Sequence, residues 1–144
     1  YESVAYEIYN LENTLSSVGM GRIGILNKPM EELEFLSYIK DKLNSKAIRH
    51  SPFTGKKIKT IAVLGGSGSF AIPDAKKQNV DAFITADLKY HQFYEGEKEL
   101  LLIDIGHYES EQFIKKIIFD YLTKKMTNFA VVLSHSKTNP VNYF

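Results

Sequence analysis

Short apolar runs alternate with longer stretches of helical periodicity along most of this chain. Ile58–Leu64, Asp81–Thr85 and Leu100–Asp104 are nearly continuous in apolar residues, the signature of strands covered on both faces. Between them, a stretch ending near Asn79 and a shorter one over Leu88–Glu95 read as helices. Tyr108–Met126 reads as one long helix with Ile114, Ile117, Ile118, Tyr121 and Leu122 on its inner face, and Asn128–Ser134 as a closing strand. Such alternation predicts an α/β fold, a three-layer sandwich around a mixed, mostly parallel sheet.

The first third is less regular. Val4–Tyr9 reads as a strand followed by a polar stretch over Glu12–Ser17, and Gly19–Leu26 as a strand punctuated by glycine. Pro29 suits the first turn of a helix, with Glu31 and Glu32 near its positive end. Met30, Leu33, Leu36, Ile39 and Leu43 form its apolar stripe. A short strand over Ala47–Arg49 and a Pro/Gly/Lys turn over Ser51–Lys57 complete this part.

The 144 residues fit one domain, which at this size buries roughly 70% of its unfolded surface. A net charge of +1, with bases scattered among acids, gives no footprint for nucleic acid or anionic lipid. No apolar run approaches the roughly 20 residues that span a bilayer, and no signal-peptide pattern opens the chain. The absence of cysteine excludes thiolate metal chemistry and fits a cytoplasmic protein. Tyr1 already stands inside a strand-like pattern, so the chain is expected to be the C-terminal half of a longer protein, with residues 1–13 as the exit strand of a preceding inserted domain.

Three segments can carry chemistry. Gly106 ends a buried strand and is followed at once by His107–Tyr108–Glu109–Ser110–Glu111. His107 and Glu111 are four apart, so on a helix they share one face. An imidazole and a carboxylate so presented can hold a divalent metal; the alternative is a solvated helix start whose acids face the helix dipole.

Gly65–Gly66–Ser67–Gly68 follows a strand, and Gly66, Gly68 and Ala71 satisfy the G-x-G-x-x-A pattern with Asp87 about 20 residues on. A structural turn, an anion or substrate loop and a dinucleotide site all remain open, although Pro73 disturbs the helix that the last of these needs. Thr85–His91 ends the next strand. Asp87 and His91 therefore emerge on the same rim as His107, with Asp87 either a site residue or a helix N-cap. Asp104 is a third acidic candidate on that rim. His50 reads as a solvated turn residue and His135 as a loop residue, and no G-x-S-x-G elbow supports a serine hydrolase.

Taken together, Gly19–Met20–Gly21–Arg22–Ile23–Gly24, Gly65–Gly68, Asp81–His91, Asp104–Glu111 and Thr138–Asn139–Pro140 resemble, in order, the C-terminal half of the NIF-three-like dinuclear metal-centre family, whose members are named GTP cyclohydrolase 1 type 2 homologues. The resemblance implies one half of a two-domain fold with two divalent ions (zinc, iron or manganese) in the cleft between the halves. It implies His107 and Glu111 as this half's ligands, the others being an adjacent histidine pair and an aspartate of the N-terminal half. This chain contains no His-His pair. It departs mildly from the family pattern at Ala86, where glycine is usual, and at Ile105, where alanine is common.

By the same resemblance the intact protein is a metal-dependent hydrolase assembled as a toroidal, hexameric homo-oligomer. Asp87 and His91 are then catalytic candidates, and Gly65, Gly66, Ser67, Gly68 and Lys89 contact a small-molecule substrate. The alternative is a non-catalytic metal-binding protein of interaction or regulation.

Overall fold

The computed structural model describes residues 19–144; the expected strand over Val4–Tyr9 and the exit-strand assignment of residues 1–13 lie outside them. Five strands, β1 (Arg22–Met30), β2 (Arg49–His50), β3 (Ile58–Ser67), β4 (Ala82–Ala86) and β5 (Leu101–Asp104), form one sheet in the order β1-β3-β4-β5-β2. The central β3, β4 and β5 run parallel, as their apolar runs predict, while β1 on β3 and β2 on β5 are antiparallel. The sheet is therefore mixed.

Side chains of successive strand residues point to opposite faces, and both faces are covered. On one, Ala82, Ile84, Leu101 and Ile103 pack against Phe35, Leu36 and Ile39 of α1 (Glu32–Lys42). On the other, Phe83 and Leu102 pack with Ile72 and Ala75 of α2 (Ile72–Lys77) and with Leu88. All five residues of β4 are buried. Burial of each large aliphatic or aromatic side chain contributes about 1.5–3 kcal/mol, so these two clusters hold the centre of the sheet rigid beneath its C-terminal rim.

Several expectations change. Pro29 belongs to β1 rather than to a helix: an edge strand tolerates a missing N–H, and the register slips between Ile25 and Met30. The apolar stripe of α1 turns toward Phe35, and Leu33 faces solvent. Glu32 is buried, its carboxylate accepting the Thr54 and Gly55 amides (2.7 and 3.0 Å), which pins the Pro/Gly turn to the helix start. The Leu88–Glu95 helix is a 3-10 helix over Tyr90–Gly96. The single long helix is two, α3 (His107–Glu111) and α4 (Ile114–Lys125), with Gln112 between them donating to Leu43 O (2.8 Å).

One predicted burial and one predicted strand fail outright. Ile114, Ile117, Ile118 and Tyr121 are exposed, because no layer of the described residues lies over α4. Residues 128–134 form no strand, and β2, not that run, pairs with the outer side of β5.

Candidate functional site

Parallel strands place their C-terminal ends on one rim, where open α/β sheets bind ligands. Here that rim collects Gly66, Asp87 and His107. Just past β4, Asp87 takes a left-handed backbone (φ 58°), and Gly106 (φ 92°) turns the chain from β5 into α3. The two turns aim Asp87 and His107 at each other: Nδ1 of His107 lies 2.6 Å from Asp87 Oδ2. Asp87 is therefore not the N-cap it might be read as from sequence; Lys89 occupies that position of the 3-10 helix.

One helical turn on, Glu111 Oε2 lies 3.3 Å from His107 Nε2, as their spacing predicts. All three side chains are about half exposed. The hydrogen bond to Asp87, more than offsetting partial burial, raises the imidazole's pKa above its ordinary value, and Glu111 adds to the effect.

Gly65–Ser67 is not a loop but the end of β3, displaced by a register shift between Val63 and Ser67. Its polar backbone is committed to packing the rim. Gly66 N donates to Ser110 Oγ (2.8 Å), and Thr85 Oγ1 donates to Gly66 O (3.1 Å). Gly66 itself has φ 68°, and a Cβ there would lie 2.6 Å from Glu111 Oε1 and 3.6 Å from His107 Cε1. The glycine thus makes room for the histidine–glutamate pair.

Asp104 is on the rim but buried. Its Oδ2 accepts the Leu88 amide (2.9 Å) and pairs with Arg49, and its Oδ1 accepts the Gly106 amide (3.0 Å). Lys89 and His91 are exposed, the latter edge-on to Tyr90 with ring centroids 5.3 Å apart. His50 lies in β2 rather than in a turn, stacked on Phe53 at 4.8 Å; His135 is exposed beyond α4.

Beside the His107–Glu111 pair opens a cavity of about 650 Å³ walled by Arg49, Asp87, Asp104, Tyr108, Ile114 and the C-terminal segment Thr138–Val141 with Tyr143. Gly65–Gly68, Lys89 and His91 do not line it; Gly65 borders a smaller depression with Glu111, Phe113 and Ile117. Glu109, nearly fully buried, faces Asn139 (Oε1 to Nδ2, 3.5 Å) and Tyr143. Burial first, and the Glu109 carboxylate second, push the Tyr143 phenol upward, so it stays protonated. Sequence reasoning missed Arg49, Glu109 and Tyr143 as wall residues; Glu109 lies within the Asp104–Glu111 stretch and Tyr143 just beyond Thr138–Asn139–Pro140, while Arg49 carried no signal.

The donor chemistry suits part of a metal centre. Two ligands about 2.0–2.1 Å from one tetrahedral ion stand roughly 3.3 Å apart, the separation of His107 Nε2 from Glu111 Oε2. Among the described residues no three His, Asp or Glu side chains gather into a complete metal-holding group. No helix of the described residues is long and apolar enough to cross a membrane.

Residues 3–140 match the family described as Duf34/NIF3 (NGG1p interacting factor 3). The chain is 34% identical over 152 residues to the GTP cyclohydrolase 1 type 2 homolog of Bacillus subtilis, a match covering 99% of this chain and 39% of that protein. A Bacillus cereus protein related to NIF3 superimposes with a TM-score of 0.76 at 30% identity, covering all of this chain and 41% of the other. A Staphylococcus aureus crystal structure gives 0.75 at 31% identity, over 88% and 42% of the two chains. The chain thus spans about two fifths of the length of the relatives it matches.

Proposed function

The chain belongs to the Duf34/NIF3 family, and on that premise we propose that it is the portion of a dinuclear metal-dependent hydrolase that supplies His107 and Glu111 as metal ligands. The observation that carries this reading is the pair itself: an imidazole nitrogen and a carboxylate oxygen 3.3 Å apart, half exposed, on a rim cleared by Gly66. When bound, two divalent ions (zinc, iron or manganese) would lower the pKa of a coordinated water and polarise a substrate bond.

The chain's own residues prepare that chemistry. Asp87, the nearer of the two carboxylates that face the ring, accepts the Nδ1 proton of His107 and leaves Nε2, on the Glu111 side, as the nitrogen for a metal. Gly66 keeps Glu111 unobstructed. The cavity beside the pair is large enough for a small molecule and offers it Arg49 as well as the Asn139 and Tyr143 walls. Asp87 therefore acts through His107 rather than on substrate, and substrate contact falls to the cavity wall more than to Gly65–Gly68, Lys89 or His91. From the relatives' name we carry over hydrolysis; the nucleotide in that name finds no specific group here. Two ligands alone leave an ion largely hydrated, so the function belongs to the intact, cytoplasmic protein, assembled as a toroidal homo-oligomer whose N-terminal half completes the centre.

Elemental analysis of the full-length protein tests this. The wild type is expected to hold two divalent ions per chain, and His107→Ala or Glu111→Gln to lose at least one, with hydrolytic activity reduced by orders of magnitude. Variants that keep both ions would overturn the ligand assignment.

A further inference from the structure

The Asp87–His107 contact joins two separate turns, each of unusual backbone conformation. The left-handed backbone of Asp87 (φ 58°) is disfavoured for a non-glycine residue, a cost that hydrogen bonds fixing both turns at once would offset. The residue following Asp87 and the residue preceding His107 both donate their amides to one side chain. Leu88 N reaches Asp104 Oδ2 at 2.9 Å and Gly106 N reaches Asp104 Oδ1 at 3.0 Å.

Asp104 is 3% exposed, and its carboxylate would be costly to bury alone. Arg49, its register partner across β2 and β5, pairs with Oδ2 and also donates to Leu88 O at 3.0 Å. The guanidinium also lies over the Phe93 ring, 5.5 Å from its centroid. Asp104 and Arg49 therefore grip Leu88, the residue after Asp87, by its N–H and its C=O respectively.

We infer that Asp104, clamped by Arg49, is a positioning residue that sets the tautomer of His107: by locking both turns it holds Asp87 at 2.6 Å on Nδ1, closer than Glu111 at 3.3 Å from Nε2, so that the proton goes to Nδ1 and Nε2 is left unprotonated. The two amides need two acceptor oxygens on one side chain, and only a carboxylate provides them. Asparagine would set an NH2 against one of the amides. Arg49 makes both contacts through one nitrogen, Nη2, so lysine at 49, whose stem is one bond shorter, would keep the charge but fall short of Asp104 and Leu88 O together. The inference rests on the metal reading for its purpose, since an unprotonated Nε2 matters as a ligand; its geometry stands independently.

The tautomer is read directly in the metal-free chain from long-range 1H–15N correlations of the His107 ring, at a pH where the ring is neutral. In the wild type the Nδ1–H form is expected to dominate. In Asp104→Asn and in Arg49→Lys the ratio of Nδ1–H to Nε2–H is expected to fall by roughly tenfold, about the equilibrium value of one charge-assisted hydrogen bond. The amide spectrum establishes that each variant is folded, and if Asp104→Asn does not fold, Arg49→Lys, altered at a largely exposed side chain, decides alone.

Folded variants with the wild-type ratio overturn the inference, as does a wild type dominated by Nε2–H. In the full-length protein the same substitutions should weaken metal binding about 10- to 100-fold. A shifted ring with unchanged metal content would leave the positioning role standing and count instead against His107 as a ligand.

Discussion

Gly66 and Glu111 meet so closely at the end of β3 that a methyl group on the glycine would fall 2.6 Å from the carboxylate oxygen Oε1. Two penalties attend Gly66→Ala. The φ of 68° lies in the left-handed region, where an L-residue is disfavoured by about 1–2 kcal/mol. The Glu111 carboxylate, being half exposed and flexible, would swing away rather than resist. The variant is expected to unfold at lower denaturant by that amount while losing metal affinity in the full-length protein. Chemical denaturation and metal titration together check both effects; unchanged metal binding would mean that Glu111 does not need this clearance.

The raised pKa of His107 fixes the sign of a pH effect. Because the folded-state pKa lies above the unfolded value near 6.5, the favourable contact with Asp87 contributes fully below that value and is lost as pH rises through the folded pKa. Asp87→Asn removes the largest cause, so the His107 midpoint should drop back toward the ordinary value. NMR titration of the ring protons in the metal-free chain measures it, and an unmoved midpoint would contradict the Asp87 assignment. In the full-length protein, protons and metal compete for Nε2, so apparent metal affinity should climb with pH through the same window.

The glycine-rich segment should not bind a dinucleotide. Its Gly66 amide and carbonyl are already used by Ser110 and Thr85, and the chain then enters a 3-10 helix over Ser69–Ala71 rather than a long helix. A dinucleotide site instead needs free amides at a helix N-terminus. Titration with NADH, followed by its fluorescence, is expected to show no saturable binding in the micromolar range. Saturable binding there would require the rim to rearrange.

The contrast between what sequence revealed and what it hid follows from the range of the interactions involved. The β3–β5 core was legible because apolar runs and periodicity are local consequences of burial, and the i, i+4 relation of His107 and Glu111 is a property of any helix. Asp87 facing His107 depends on a left-handed turn at a non-glycine residue, for which aspartate is only a weak local signal. Asp104 looked like a rim acid because its partners, Leu88, Gly106 and Arg49, are set by tertiary register. Pro29 misled because a proline fits a helix start and an edge strand equally well. The inner face of α4 read as core from its spacing, yet periodicity reports that a face is apolar, not what covers it.

That face carries the last prediction. Ile114, Ile117, Ile118 and Tyr121 recur at i, i+3, i+4 and i+7 and are each at least half exposed. With Phe113 they extend the apolar surface to the depression beside Gly65 and Glu111. Contiguous apolar surface of this kind drives association, so the chain should self-associate as its concentration rises. Ile117→Glu places a charge at the centre of the stripe, where the side chain is 60% exposed and its replacement should change folding stability by no more than about 0.5 kcal/mol. Sedimentation should therefore show a larger species for the wild type and a monomer for the variant at equal concentration. A wild type that stays monomeric at high concentration, and binds no hydrophobic dye, would overturn the reading of this face as a surface that drives association.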